Sequence, residues 1–162
     1  MGINPARPAA ALMAAVVAAY ADAGVPIPQR QYLAPGPLAA WDGEHVAVTL
    51  AQTLPGTADN TNRPGAYPGR GVGSVALPRA TYDARVLRCV PTLDSSGDPP
   101  SVEELTACTE LLLADLGVLL DASYRWAAKQ PPGIVVTVGQ ATPLGPEGAL
   151  AGYAVHCTAS LV

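Results

Sequence analysis

Seventeen prolines decide where this chain can be regular. A proline lacks the N–H that helix and ladder bonds need, and it biases the residue before it towards extended backbone. Pro26, Pro28, Pro35 and Pro37 forbid regular structure through most of 25–40. The stretch TLPGTADNTNRPGAYPGRGVGS, 53–74, carries Pro55, Pro64 and Pro68 and almost lacks apolar anchors. Pro91 ends a strand, Pro131 and Pro132 end a helix, and TPLGPEGALAG, 142–152, reads as a turn-rich connector. The regular elements must lie between these clusters.

Pro8 suits the first turn of a helix over Ala9–Ala23, and Gly24 supplies its stop. Leu12, Val16, Ala19 and Tyr20 form one face of that helix. His45–Gln52 alternates as a strand, with Val46, Val48 and Leu50 opposed to His45, Ala47 and Thr49. Ala80–Thr92 reads as a long strand, the one its neighbours should pair with. Tyr82, Ala84, Val86 and Val90 share a face that Arg88 interrupts, and Thr81, Asp83, Arg85, Leu87 and Cys89 share the other.

Ser101 and Glu104 form a capping box, which predicts a helix from Val102 to Lys129, with a break near Gly117. Its apolar stripe is Leu105, Cys108, Leu112, Leu116, Leu119 and Leu120, with Glu103, Glu110, Asp115 and Asp121 on the other side. Gly133–Gly139 and Tyr153–Leu161 complete the strands. The order α-β-β-α-β-β predicts a single α+β domain over 1–162. Its antiparallel or mixed sheet has about four main strands, flanked by helices. Around it run a leading arm (1–8), a Pro-rich arm (25–40) held by Ile27, Tyr32, Leu33 and Trp41, and a long mobile loop (53–74).

The chemistry-bearing residues do not converge in sequence. Net charge is −4, and the arginines are scattered rather than gathered into the stripe that nucleic-acid binding asks for. His45 and His156 read as exposed structural histidines on polar strand faces, with no ligand set around either; no metal or cofactor is expected. Cys89, Cys108 and Cys157 read as free, buried thiols of a reducing compartment. Ser160 and His156 sit four residues apart on an extended strand, about 13 Å, too far for a nucleophile–base pair. Gly69–Ser74 has the glycines of a phosphate loop without its Gly-Lys-Ser/Thr ending. No catalytic residue is assigned and no enzyme is expected. No secretory signal or membrane span is read either, since the apolar run 9–23 is too short to span.

Three stretches carry a resemblance: PQRQYLAPGPLAAWDGEHVAVTL, YDARVLRCVPTLDSSGDPPSVEEL and VGQATPLGPEGALAGYAVHCTASL. Together, over roughly 27–162, the chain resembles the tail terminator proteins of long-tailed, siphovirus-type bacteriophages of actinobacteria. The resemblance implies an α/β fold and a homohexameric ring on the last ring of the tail tube. Such a ring stops tube polymerisation and joins the tail to the head-side connector. Implied partners are further copies of the chain, the major tail tube protein and a head-tail stopper or adaptor, with DNA only passing through the lumen. The implied location is the tail or neck of a virion assembled in the host cytoplasm.

The residues chosen for subunit or partner contact come from the sequence itself: Arg63, Tyr67 and Arg70 in the long loop, Tyr32 and Trp41 on the Pro-rich arm, and Arg85 and Arg88 in the central strand. In a lone subunit the two strand arginines should be edge charges; in a ring they would meet acids such as Asp83 or Glu110 of a neighbour. The runner-up is a stopper or adaptor of the same connector. Outside that class stand a soluble binding module of a bacterial cell and a hydrolase acting through His156 or Cys89.

Overall fold

The computed structural model describes residues 4–36, 43–54 and 78–161. Among them, five strands form one mixed sheet: β1 (Arg30–Ala34), β2 (His45–Leu54), β3 (Arg79–Cys89), β4 (Val136–Glu147) and β5 (Leu150–Ser160). The spatial order is β1-β2-β3-β5-β4. β1 runs parallel to β2, and every other pair is antiparallel. Helices α1 (Ala6–Ala23) and α2 (Val102–Ala128) pack against each other and on the same face of the sheet.

The core lies between these two layers. α1 contributes Leu12, Val16, Ala19 and Tyr20; α2 contributes Val118, Leu119, Ala122 and Trp126. They meet Val46 and Val48 of β2, Ala80, Tyr82, Ala84 and Val86 of β3, and Val155, Cys157 and Ala159 of β5. The small residues bring helix and strand backbones close. The two large rings facing each other, Tyr82 and Trp126, pack edge to face at 6.1 Å. The Tyr82 hydroxyl donates to the Pro5 carbonyl at 2.9 Å, tying the start of α1 to the sheet, and burial pushes its pKa up to about 12.

Helix ends follow the sequence. Gly24 is left-handed (φ 66°), and its N–H returns to the Ala21 carbonyl. At α2 the Ser101 hydroxyl accepts from the Glu104 N–H while the Glu104 carboxylate accepts from the Ser101 N–H. Those bonds hold the Glu104 carboxyl below its ordinary range.

Four expectations need correction. α1 starts at Ala6, inside the supposed leading arm, and α2 runs through Gly117 unbroken. Arg30–Ala34, inside the Pro-rich arm, is a strand, because five residues between Pro28 and Pro35 suffice to pair with the open edge of β2. β4 continues through most of the supposed connector. As an edge strand it needs no donor on its outer side, so Pro143 and Pro146 are tolerated, and the ladder slips between Val138 and Ala141 and again before Glu147. The observed order is therefore α-β-β-β-α-β-β with five strands. β3 does occupy the middle of the sheet, third of five.

Candidate interaction surface

Arg88 is not an edge charge. Its side chain is 4 % exposed, on the helix-facing side of β3. Its Nε and Nη2 donate to the two Asp115 oxygens, each at 2.8 Å, in a bidentate fork. Nη2 also donates to the Pro26 carbonyl, and Nη1 lies 3.5 Å from Glu44. The Tyr20 hydroxyl donates to Asp115 Oδ1 at 2.8 Å. Asp115, placed by helical spacing on the polar side of α2, is completely buried. The fork raises the Arg88 pKa, and burial beside Asp115 raises that of Tyr20. One buried ionic node thus joins α1, α2 and β3 to the segments that flank β1. Arg88 is spent on this node and cannot reach a neighbour.

The sheet face away from the helices carries a second polar array. Asp83 and His156 are register partners on β3 and β5. His156 Nδ1 lies 2.6 Å from Asp83 Oδ1, and its Nε2 lies 3.2 Å from the Thr142 hydroxyl on β4. At that distance from a carboxylate Nδ1 carries the proton, and Nε2 shares a hydrogen bond with the Thr142 hydroxyl, which can serve as donor or acceptor. Arg85 donates to the other Asp83 oxygen at 3.2 Å. Thr142, His156 and Asp83 follow the hydroxyl–imidazole–carboxylate sequence of a nucleophilic relay. Here Asp83 is shared with a guanidinium, and the array ties three adjacent strands together. Sequence reading missed it, because 73 positions separate His156 from Asp83 and only the β3–β5 register unites them.

His45 lies on this same face and is buried, not exposed. Its Nδ1 lies 3.3 Å from the Gly43 carbonyl, and burial lowers its pKa. The Tyr32 ring leans against it with centroids 5.5 Å apart, so Tyr32 holds β1 on β2, and burial raises the Tyr32 pKa. Among the described residues, four buried side-chain atoms find no hydrogen-bond partner: His45 Nε2, Thr49 Oγ1 and Arg85 Nε on this face, and Trp126 Nε1 in the core.

A groove of about 540 Å³ opens where α2 begins. Val90, Pro91 and Leu93 after β3, Leu105, Cys108 and Leu112 of α2, and the β4–β5 turn line it. The apolar stripe of α2 reaches the core only in its later turns. Its first turns hold no buried residue: Val102 is 73 % and Leu105 47 % exposed, and Leu93 in the loop before the helix is 64 % exposed. The early part of the stripe that spacing outlines, Leu105, Cys108 and Leu112, is thus groove lining rather than core.

Of the contact residues chosen from sequence, Arg85 bonds its own chain's Asp83, Arg88 is buried and Tyr32 is half-buried. Arg63, Tyr67, Arg70 and Trp41 lie outside the described residues, as does most of the 53–74 loop. Cys89 is exposed and Cys108 partly so, against the expected burial; Cys157 is buried, which raises its pKa. Cys89 pairs with Leu150, six positions along β5 from His156, roughly 20 Å away, so the two do not form a catalytic pair. Among the described residues no cluster of His, Cys, Asp or Glu has metal-binding geometry, and no helix is long and apolar enough to cross a membrane. Comparison with protein-family models and with curated proteins finds no match.

Proposed function

We propose that the chain is a structural subunit of a long-tailed bacteriophage virion: a ring-forming tail terminator that caps the tail tube and meets the head-side connector. The resemblance of its three sequence stretches supports this reading. The structural observation that carries it is the first part of α2. The first half of this capped helix leaves Val102, Leu105 and Leu113 exposed, and Leu105 lines the apolar groove there. Exposed apolar side chains beside an apolar groove support a surface that another protein covers, and the resemblance supplies the ring, whose copies close by rotation.

Phage particles made without the chain test the reading. Tail tubes of uncontrolled, excess length, with no head attached, are the expected product. Tails of normal length beside unattached heads would instead assign the chain to the stopper or adaptor position. Normal, infectious particles would refute a virion role.

A further inference from the structure

The Thr142–His156–Asp83 array is complete within one chain and has the geometry that acyl transfer asks for. The Thr142 hydroxyl lies 3.2 Å from His156 Nε2, and His156 Nδ1 lies 2.6 Å from Asp83. Both distances are those of a nucleophile held by its base and a base held by its acid. The second Asp83 oxygen accepts from Arg85 at 3.2 Å, which fixes the carboxylate behind the ring. Asp83 is buried, whereas the His156 side chain is 41 % exposed and Thr142 is half-buried. The relay therefore runs from the interior of the sheet face towards solvent.

The register leaves room beside it. Arg85, Ala154 and Thr142 form one transverse row across β3, β5 and β4. The outer strands of that row are about 10 Å apart, and only a methyl group stands on the middle one. A planar ester group has space over Ala154 with its carbonyl carbon at the Thr142 hydroxyl. His156, two residues along β5, shares the face and stands beside it. Arg85 brings positive charge across the gap from the carbonyl oxygen that becomes negative, and among the described residues its Nε has no partner. Leu144, next on this face of β4, is half-buried and suits an apolar acyl group.

We propose that Thr142, activated by His156, is the nucleophile of a hydrolytic site for small carboxylic esters. Thr142 Oγ1 attacks the carbonyl carbon, and its proton passes to His156 Nε2. The bond from that carbon to the alkoxide breaks, and His156 gives the proton to the alkoxide oxygen. Water then attacks the acyl-threonine and leaves a proton on His156. The carbon–Oγ1 bond breaks, and Oγ1 takes that proton back. One ester and one water become one acid and one alcohol. Asp83 is a positioning residue: it holds the tautomer that leaves Nε2 bare. The site goes beyond the virion role and needs no second copy.

The full chain carrying Cys89→Ala is the parent for the test, because an exposed thiol would itself be acylated. With p-nitrophenyl acetate it should release p-nitrophenol over many turnovers, and peptide mass spectrometry should find acetyl on Thr142. Thr142→Val and His156→Gln should each lower turnover by about 10²-fold or more. Thr142→Ser keeps a hydroxyl and should keep both the turnover and the adduct at position 142. Asp83→Asn should lower kcat with KM unchanged, the mark of an interaction made only in the transition state. Circular dichroism and melting check each fold, and the adduct on the folded parent decides where a variant melts lower. Acetyl found only on Lys129, Cys108 or the amino terminus would overturn the proposal. So would equal turnover by the parent and Thr142→Val, which would leave the array a clamp between strands.

Discussion

Replacing Arg88 with methionine keeps the volume and removes the charge from the buried node. Asp115, completely buried, then retains only the Tyr20 hydroxyl at 2.8 Å. It loses both 2.8 Å bonds from the guanidinium. Stripping one partner from a buried ion pair leaves the other charge desolvated, at a cost of about 3–5 kcal/mol. In a domain of this size 1 kcal/mol moves the melting temperature by about 2–4 °C, so Arg88→Met should melt roughly 6–20 °C lower. Asp115→Leu alone should lose a similar amount, because it strands the guanidinium. The double variant Arg88→Met/Asp115→Leu removes both charges and orphans the Tyr20 hydroxyl, a loss of about 1–3 kcal/mol; the Pro26 carbonyl loses its donor in Arg88→Met as well, so that loss cancels from the cycle. The cycle thus predicts a coupling of at least about 3 kcal/mol, measured by urea unfolding of the four chains. If the double variant loses the sum of the singles, within about 0.5 kcal/mol, the node is not a coupled unit and the reasoning fails.

Gly152→Ala should destabilise strongly, on the order of 1–3 kcal/mol or more by urea midpoint, because its Cβ would lie 1.9 Å from the Val86 carbonyl oxygen, a backbone atom that cannot swing aside. Burial lowers the His45 pKa, so as pH falls the unfolded chain takes up that proton first; His45's contribution is complete above about pH 6.5 and erodes below it. Unfolding between pH 5 and 8 should show this slope, and His45→Leu should flatten it. Thiol titration of the folded chain should label Cys89 first and Cys157 only on unfolding, since one is exposed and the other buried with a raised pKa.

Local signals in the sequence matched local structure, and what depended on long-range packing stayed hidden. The Ser101–Glu104 box and the stop at Pro131 each depend on residues a turn or so apart, and both ends formed as read. The central place of β3 followed from its length and apolar character. Asp115 was placed among the solvent-facing acids because helical spacing put it there; its burial depends on Arg88, 27 positions away, arriving on β3. Arg88 itself looked like an interruption of an apolar face for the same reason. β1 was hidden because its five residues gain strand geometry from β2 rather than from their own pattern. Leu105 and Cys108 carry a correct helical stripe, but a stripe does not say how far the sheet beneath it extends.

The place of β5 also governs when the molecule becomes competent. It is the last strand along the chain, yet it lies inside the sheet between β3 and β4. During synthesis α1, β2 and β3 emerge early, and β3 waits with one edge open while α2 and β4 are made. Only β5 closes that edge, pairing Leu150 with Cys89 beside the groove and Ser160 with Arg79 at the opposite end. Both ends of the β3–β5 ladder are therefore finished by the same late event. A half-made sheet lacks the β5 side of the groove, so the groove lining is complete only when the fold is.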